Sequence, residues 1–186
     1  RSAPDPSRNR KTDAWLRGCV VGGSSSINGQ MYVRGSSADY DRWAAQGNSG
    51  WSAQDIMPLF QAIENSDKKD RCRGRHGPLY TRTVREGHPL TQAFLQAAQH
   101  AGHRFNPDYN NPEEGQEGVS YAQLTQRRGL RYSAADAFLK PILHRKNLKL
   151  LTSTRFHKLL FSKGRVSGAI YEQAGTVHKV KAHNVV

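Results

Sequence analysis

Residues 22–26 (GGSSS) set two adjacent glycines against three hydroxyl side chains. Adjacent glycines let a backbone pass close to a ligand, and serine hydroxyls with amides at a following helix start can hold phosphate oxygens. A pyrophosphate is the group such a run could grip. The run is flanked by Val20, Val21 and Ile27, which argues for a packed loop over a flexible linker. No lysine follows to complete a Walker A loop, and no GxGxxG occurs, so on the residues alone a phosphate-holding loop and a structural turn both remain open. Other chemistry is sparse. His100 and His103 lie three apart on a predicted helix, like a metal pair, but without a third ligand nearby they read as surface residues. His157, His178 and His183 fall in alternating segments and read as solvent-facing. Cys19 and Cys72 form no CxxC pair, so neither a disulfide framework nor a zinc site is expected, and a reducing cytoplasm is the default compartment.

The elements that must position the loop follow from local signals. Residues 1–17 read as an irregular lead-in. Ser37–Gln46 has a polar start, acidic residues in its first turn and Gly47 just after, and predicts a helix with Trp43 facing the core. Ser52 and Asp55 form a capping-box pattern before Ile56, Leu59, Phe60 and Ile63 at helical spacing, with Pro58 expected to kink the helix. A short strand is expected at Leu79–Val84. Pro89 suits a first helical position, Leu90, Phe94, Ala97, Ala98 and Ala101 share one face, and Gly102 suits a left-handed cap. Residues 106–118 (NPDYNNPEEGQEG) read as an exposed loop. Ser133 and Asp136 repeat the capping-box spacing before Ala137, Phe138 and Pro141. From Leu148 the period becomes two: 148–151, 156–161, 166–171 and 177–181 predict a β-meander with turns at Lys163-Gly164 and Ala174-Gly175. Val185 and Val186 read as the opening of a further strand.

At 186 residues the chain is long enough to bury a core. A mean hydropathy of −0.76, with no apolar run near the length of a bilayer span, excludes a membrane span of that kind. The start at Arg1, polar and without an apolar stretch, leads to the expectation of a truncated chain without a secretory signal. A net charge of +13 raises nucleic acid or another polyanion as a partner. The cations, however, are scattered in ones and twos except at residues 68–75 (KKDRCRGR), and no aromatic residues interleave with that cluster as a stacking platform. It therefore reads as solvated surface, and nucleic acid is set aside.

Residues 18–41 (GCVVGGSSSINGQMYVRGSSADYD) resemble the FAD-contacting signature of the glucose-methanol-choline (GMC) oxidoreductases, with Gly22-Gly23, Ser24-Ser25, Ile27-Asn28, Tyr32, Gly35 and Asp41 at matching spacing. Further similarity lies at residues 40–43 (YDRW), 50–52 (GWS), 77–79 (GPL), Glu117-Gly118 with Thr125, and 131–135 (RYSAA). The resemblance covers essentially the whole chain and is strongest to the choline dehydrogenase and alcohol dehydrogenase branch.

The resemblance implies an α+β chain: part of an FAD-binding α/β domain plus part of a mixed-sheet substrate domain. The implied division is an FAD-binding segment at 1–70, a substrate-binding segment at 71–145 and a β-meander at 146–186 returning to the FAD-binding part. It implies non-covalent FAD, because Ile27 stands where some members carry a flavin-linked histidine. Val20, Gly22, Gly23, Ser24, Asn28, Gly29, Gln30 and Met31 would contact the cofactor, mostly through backbone. Phe156, where the family usually has valine, would offer main-chain hydrogen bonds to the adenine. Cys19 departs from the Arg or Lys common after the first glycine. The family oxidises alcohols by hydride transfer to flavin with a histidine base. None of the eight histidines here falls in the matching segment, so no catalytic residue is carried over. A small-molecule alcohol is the implied substrate, in the cytoplasm or at a membrane through an electron acceptor; the acceptor and the oligomeric state stay open. If these residues were the entire polypeptide, weak or no FAD binding and no turnover would be expected. Readings of another class are a non-catalytic fragment needing a complementary chain and a polyanion-binding module.

Overall fold

The computed structural model describes residues 2–84 and 87–184. The chain is α+β and divides into two compact units, Arg1–Leu143 and His144–Val186.

In the first unit the lead-in carries only a 3₁₀ turn, Pro6–Arg8, capped by Asp5. Helix α1 (Ser37–Ala45) starts at the Ser36 hydroxyl, which accepts from the Asp39 amide, and stops before Gly47 at φ 97°. Helix α2 (Ala53–Ile63) begins with the complete Ser52/Asp55 capping box and runs on through Pro58. It passes directly into β1 (Glu64–Ser66), which pairs in parallel with β2 (Leu79–Thr83). Helix α3 (Pro89–His100) is capped by His88 Nδ1, and Gly102 takes φ 95° just beyond it. Strand β3 (Gln123–Leu124) joins β2 antiparallel, and β4 (Gln126–Arg127) and β5 (Leu130–Arg131) form a small hairpin. Its turn residues Arg128 and Gly129 both have positive φ, as a type I′ turn requires. The predicted Ser133/Asp136 cap opens a π-helical segment, Ala135–Leu139, followed by a 3₁₀ turn, Lys140–Ile142, that contains Pro141.

Several expectations are corrected. Trp43 is not a core residue: it is 44% exposed, edge-on between Tyr40 and Trp51, while Tyr40 is the buried residue of α1. On α3 the buried side chain is Leu95, whereas Leu90 and Phe94 are 72% and 66% exposed. The face that packs is rotated by about one residue from the apolar stripe counted in the sequence.

The largest correction concerns 106–118, which is not an exposed loop throughout. Asn106, Asp108, Asn110 and Asn111 are each 5% exposed or less. Their side chains satisfy the loop's own amides: Asn106 Oδ1 accepts from Asp108 N (2.9 Å), Asp108 Oδ1 from Asn110 N (3.1 Å) and Asn111 Oδ1 from Glu113 N (2.9 Å). A polar segment that answers its own backbone hydrogen bonds can go inside. The basic cluster likewise sends one member inward, the buried Arg73, and so is not wholly solvated surface.

Arg73 enters a polar core. Glu64 accepts from Arg34 Nη2 (2.6 Å), Arg73 Nε (3.0 Å) and Nη2, Gly74 N (3.0 Å) and Thr81 Oγ1 (2.9 Å). Arg73 Nη1 also donates to both Asp108 oxygens and to Gln123 Oε1, each at 2.8 Å. Two buried cations thus face two buried carboxylates, the condition under which ions are tolerated inside. Burial works against the Arg73 charge, but the hydrogen bonds and charges of Glu64 and Asp108 outweigh it and hold the guanidinium protonated. Burial alone would raise Asp108, yet the Gln123 hydrogen bond and Arg73 bring its carboxyl below the usual range.

The second unit is the predicted meander: β6 (Thr154–Ser162), β7 (Arg165–Gln173) and β8 (Thr176–Lys181), antiparallel in that order. Lys163-Gly164 and Ala174-Gly175 take positive φ at both positions and make the two type I′ turns. Register shifts after Phe156 and after Leu160 interrupt strict alternation in β6. Residues 148–151 form no strand; Leu148 instead closes a turn onto the Arg145 carbonyl (3.1 Å). The strand expected at Val185–Val186 lies outside the described residues.

Candidate functional site

The Gly-Ser run folds as one 3₁₀ turn, Gly23–Ser26, rather than the start of a longer helix. Its geometry depends on glycine. A Cβ on Gly18 would lie 2.2 Å from the Gly23 carbonyl oxygen. Gly22, at φ 94°, is packed so that a Cβ would lie 2.4 Å from Ser26 Oγ and 3.2 Å from Ala135 Cβ. Gly23, at φ 57°, has nothing within 4 Å of the same position and faces open space.

The serines hold this turn from within. Ser24 Oγ accepts from Gly18 N (3.1 Å), Ser25 Oγ donates to the Gly22 carbonyl (2.5 Å) and Ser26 Oγ to the Val21 carbonyl (3.0 Å). The segment that follows is held from without. Gln30, at φ 64°, accepts at its carbonyl from Thr125 N (2.9 Å) and Oγ1 (3.3 Å), and its side-chain oxygen accepts from Gln126 Nε2 (2.6 Å). Met31 bridges to Leu124, and Tyr32 N donates to the Gln123 carbonyl (2.8 Å). Asn110 completes the frame, donating to the Tyr32 carbonyl (2.9 Å) and accepting from Arg34 N (2.7 Å).

Val20, Gly22, Gly23, Ser24, Asn28, Gly29, Gln30 and Met31 therefore lie along one segment of the first unit. Along the same segment, Val20, Ile27 and Met31 leave more than half of their surface exposed (55%, 51% and 57%). Phe156 lies on β6 of the second unit, opposite Tyr171 and exposed; β6 is an edge strand among the described residues.

Sequence reasoning missed the support behind the loop. Arg131 Nη1 donates to the Ser25 carbonyl and to Asn28 Oδ1, both at 3.0 Å, and Ala134 N donates to Ser25 Oγ (2.9 Å). Next to these, Ser133 donates to Asp136 Oδ2 through N (2.9 Å) and Oγ (2.6 Å), and Lys140 pairs with Oδ1. Lys140 first, then Ser133, hold the Asp136 carboxyl down to about 2. The Arg127 guanidinium stacks 4.4 Å over Tyr80, itself edge-on to Tyr132. One usable signal for the buried network was the run of Asn106, Asp108 and Asn111, each capping the amide two residues on.

Residues 5–186 match the family described as GMC oxidoreductase. An oxygen-dependent choline dehydrogenase of Sinorhizobium fredii (strain NBRC 101917 / NGR234) is 40% identical over all 186 residues, which cover 33% of that relative. The protein of the same name from Rhizobium etli (strain CIAT 652) is 40% identical over 182 residues, 97% of the chain and 33% of the relative. The chain thus spans about a third of the length of the curated relatives it matches. Among solved structures, pyridoxine 4-oxidase from Mesorbium loti superposes with a TM-score of 0.88 at 30% identity, covering 97% of this chain and 36% of that one. An FAD-dependent oxidoreductase from Chaetomium thermophilum gives 0.87 at 26% identity, covering 98% and 34%. The glycine turn and its scaffold sit within a fold that these solved structures share, and the family match covers nearly the whole chain: the protein belongs to the GMC oxidoreductases.

Proposed function

We propose that the chain contributes the cofactor-contacting loop of an FAD-dependent oxidoreductase acting on the CH–OH group of a small alcohol, of the choline dehydrogenase kind. The observation that carries this reading is the Gly22-Gly23 turn. One glycine is locked against the scaffold, the next opens onto free space, and Val20, Ile27 and Met31 of the same segment are exposed. A flat, partly apolar cofactor with phosphates suits such a surface, since backbone can approach it closely and the apolar side chains gain a cover. The edge of β6 at Phe156 fits a main-chain contact that does not depend on the side chain.

FAD, when bound, supplies the hydride acceptor for alcohol oxidation. The chain's own part is to bind and orient: Gly22, Gly23 and Ser24 present backbone, Asn28–Met31 form the adjoining contact, and Val20 and Met31 exclude water. No histidine of the chain is given a proton-transfer role, so turnover by these residues alone is not expected. In this reading residues 1–70 serve the flavin part, 71–145 the substrate part and 146–186 return to the flavin part. No helix among the described residues is long and apolar enough to cross a membrane. With both cysteines free, a cytoplasmic setting is the proposed one.

The test is an equilibrium titration of FAD with the purified chain, followed by fluorescence quenching, with an absorption spectrum after desalting. Saturable quenching with little flavin retained on desalting is expected, because the chain holds only part of the contacts. Absence of quenching removes the cofactor reading; stoichiometric flavin retained through desalting removes the view that the contacts are partial.

A further inference from the structure

Arg131 stands in the RYSAA segment, where the family resemblance assigns it no task. One nitrogen of its guanidinium spans two acceptors that belong to different turns. The Ser25 carbonyl lies in the 3₁₀ turn, and Asn28 Oδ1 opens the next turn by accepting from Gln30 N (3.0 Å). These two turns are the two halves of the candidate cofactor surface.

We propose that Arg131 is a positioning residue that locks Gly22–Ser26 and Asn28–Met31 into one surface before any cofactor arrives. This rests on reading the loop as a flavin contact.

The need for such a lock follows from composition. Gly22 and Gly23 have wide conformational freedom, and the turn's internal serine bonds fix it only against itself. Its orientation comes from the hairpin side, through Arg131 and the Ala134 amide, while Thr125 and Gln126 of the same stretch hold Gln30. A charged donor makes the stronger kind of hydrogen bond. Arg131 is half-buried and stands outside the Glu64–Arg73–Asp108 core, so its removal spares the interior.

The experiment compares the parent chain with Arg131→Ala and Arg131→Lys by amide hydrogen exchange, FAD titration and thermal unfolding. In Arg131→Ala, exchange at residues 22–31 accelerates by about tenfold or more, as expected when both bonds of one charged donor are lost, with little change elsewhere. The apparent FAD Kd rises by about the same factor, while Tm moves by only a few degrees. Arg131→Lys, which keeps a cation and a donor but on a shorter side chain, falls between the two. Unchanged exchange at 22–31 in Arg131→Ala overturns the proposal, as does acceleration spread over the whole first unit with a collapse of Tm. Should the alanine variant fail to fold, the lysine variant decides on the same readout. Localised loss of protection in a chain whose parent gives no FAD quenching upholds the positioning role and removes the cofactor reading.

Discussion

Arg73 grips the Glu64 carboxylate with two nitrogens, Nε to one oxygen and Nη2 to the other, and neither side chain has any exposed surface. This fork joins the end of α2 to the basic segment. Its Nη1 continues to Asp108 and Gln123, so four stretches of chain meet on one guanidinium.

Removing one partner of that fork leaves a buried charge uncompensated. Arg73→Met is expected to destabilise the first unit by about 3–5 kcal/mol, and Glu64→Gln by a comparable amount. Urea unfolding followed by tryptophan fluorescence checks this; a loss under about 1 kcal/mol would mean that water or neighbours already satisfy the pair.

Acid sensitivity follows from two depressed carboxyls. Asp136 is held down to about 2 from an ordinary 3.8, and Asp108 is lowered as well. A folded-state pKa below the unfolded one contributes stability above the unfolded value and loses it as pH falls through the folded value. The Tm difference between the parent and Asp136→Asn should therefore be full at pH 5 and shrink toward pH 2. A difference constant with pH would place the effect in packing rather than charge.

The two glycines of the turn should respond differently. Gly23→Ala places a methyl in open space and costs only the left-handed backbone penalty, about 1–2 kcal/mol. Gly22→Ala adds crowding against Ser26 and Ala135 and should cost more. If the cofactor reading holds, Gly23→Ala weakens FAD quenching more than its stability loss accounts for, because its methyl occupies the open face.

Phe156 should be replaceable. It is 58% exposed on an edge strand, so Phe156→Val is expected to alter stability by under about 0.5 kcal/mol and leave FAD affinity unchanged. A large drop in affinity would assign the contact to the ring rather than the backbone.

What was legible in the sequence obeyed rules that act within a few residues. Ser52 with Asp55, the glycines at 47 and 102, and the Lys-Gly and Ala-Gly turns all announced themselves locally, and the meander followed from its period. What was illegible depended on partners far along the chain. Arg73 meets Gln123 across 50 positions and Arg131 meets Ser25 across 106, and no local pattern distinguishes such residues from solvated charges. Residues 106–118 had the composition of a surface loop because the asparagines and aspartate that cap its amides are the types that favour turns. The candidate site itself was legible as a segment, from glycine and serine spacing; its scaffold was not.

The polar interior also sets how the first unit responds to temperature. Exposing apolar surface raises the heat capacity on unfolding and exposing polar surface lowers it. The buried apolar residues are only Tyr32, Tyr40, Leu95, Ala135 and Ala137 among those described, against Glu64, Arg73, Asp108, Gln123 and other polar groups. The heat-capacity increment should accordingly fall below the usual figure of about 12–15 cal/mol/K per residue, giving a shallow stability curve with its cold-denaturation limb far below freezing.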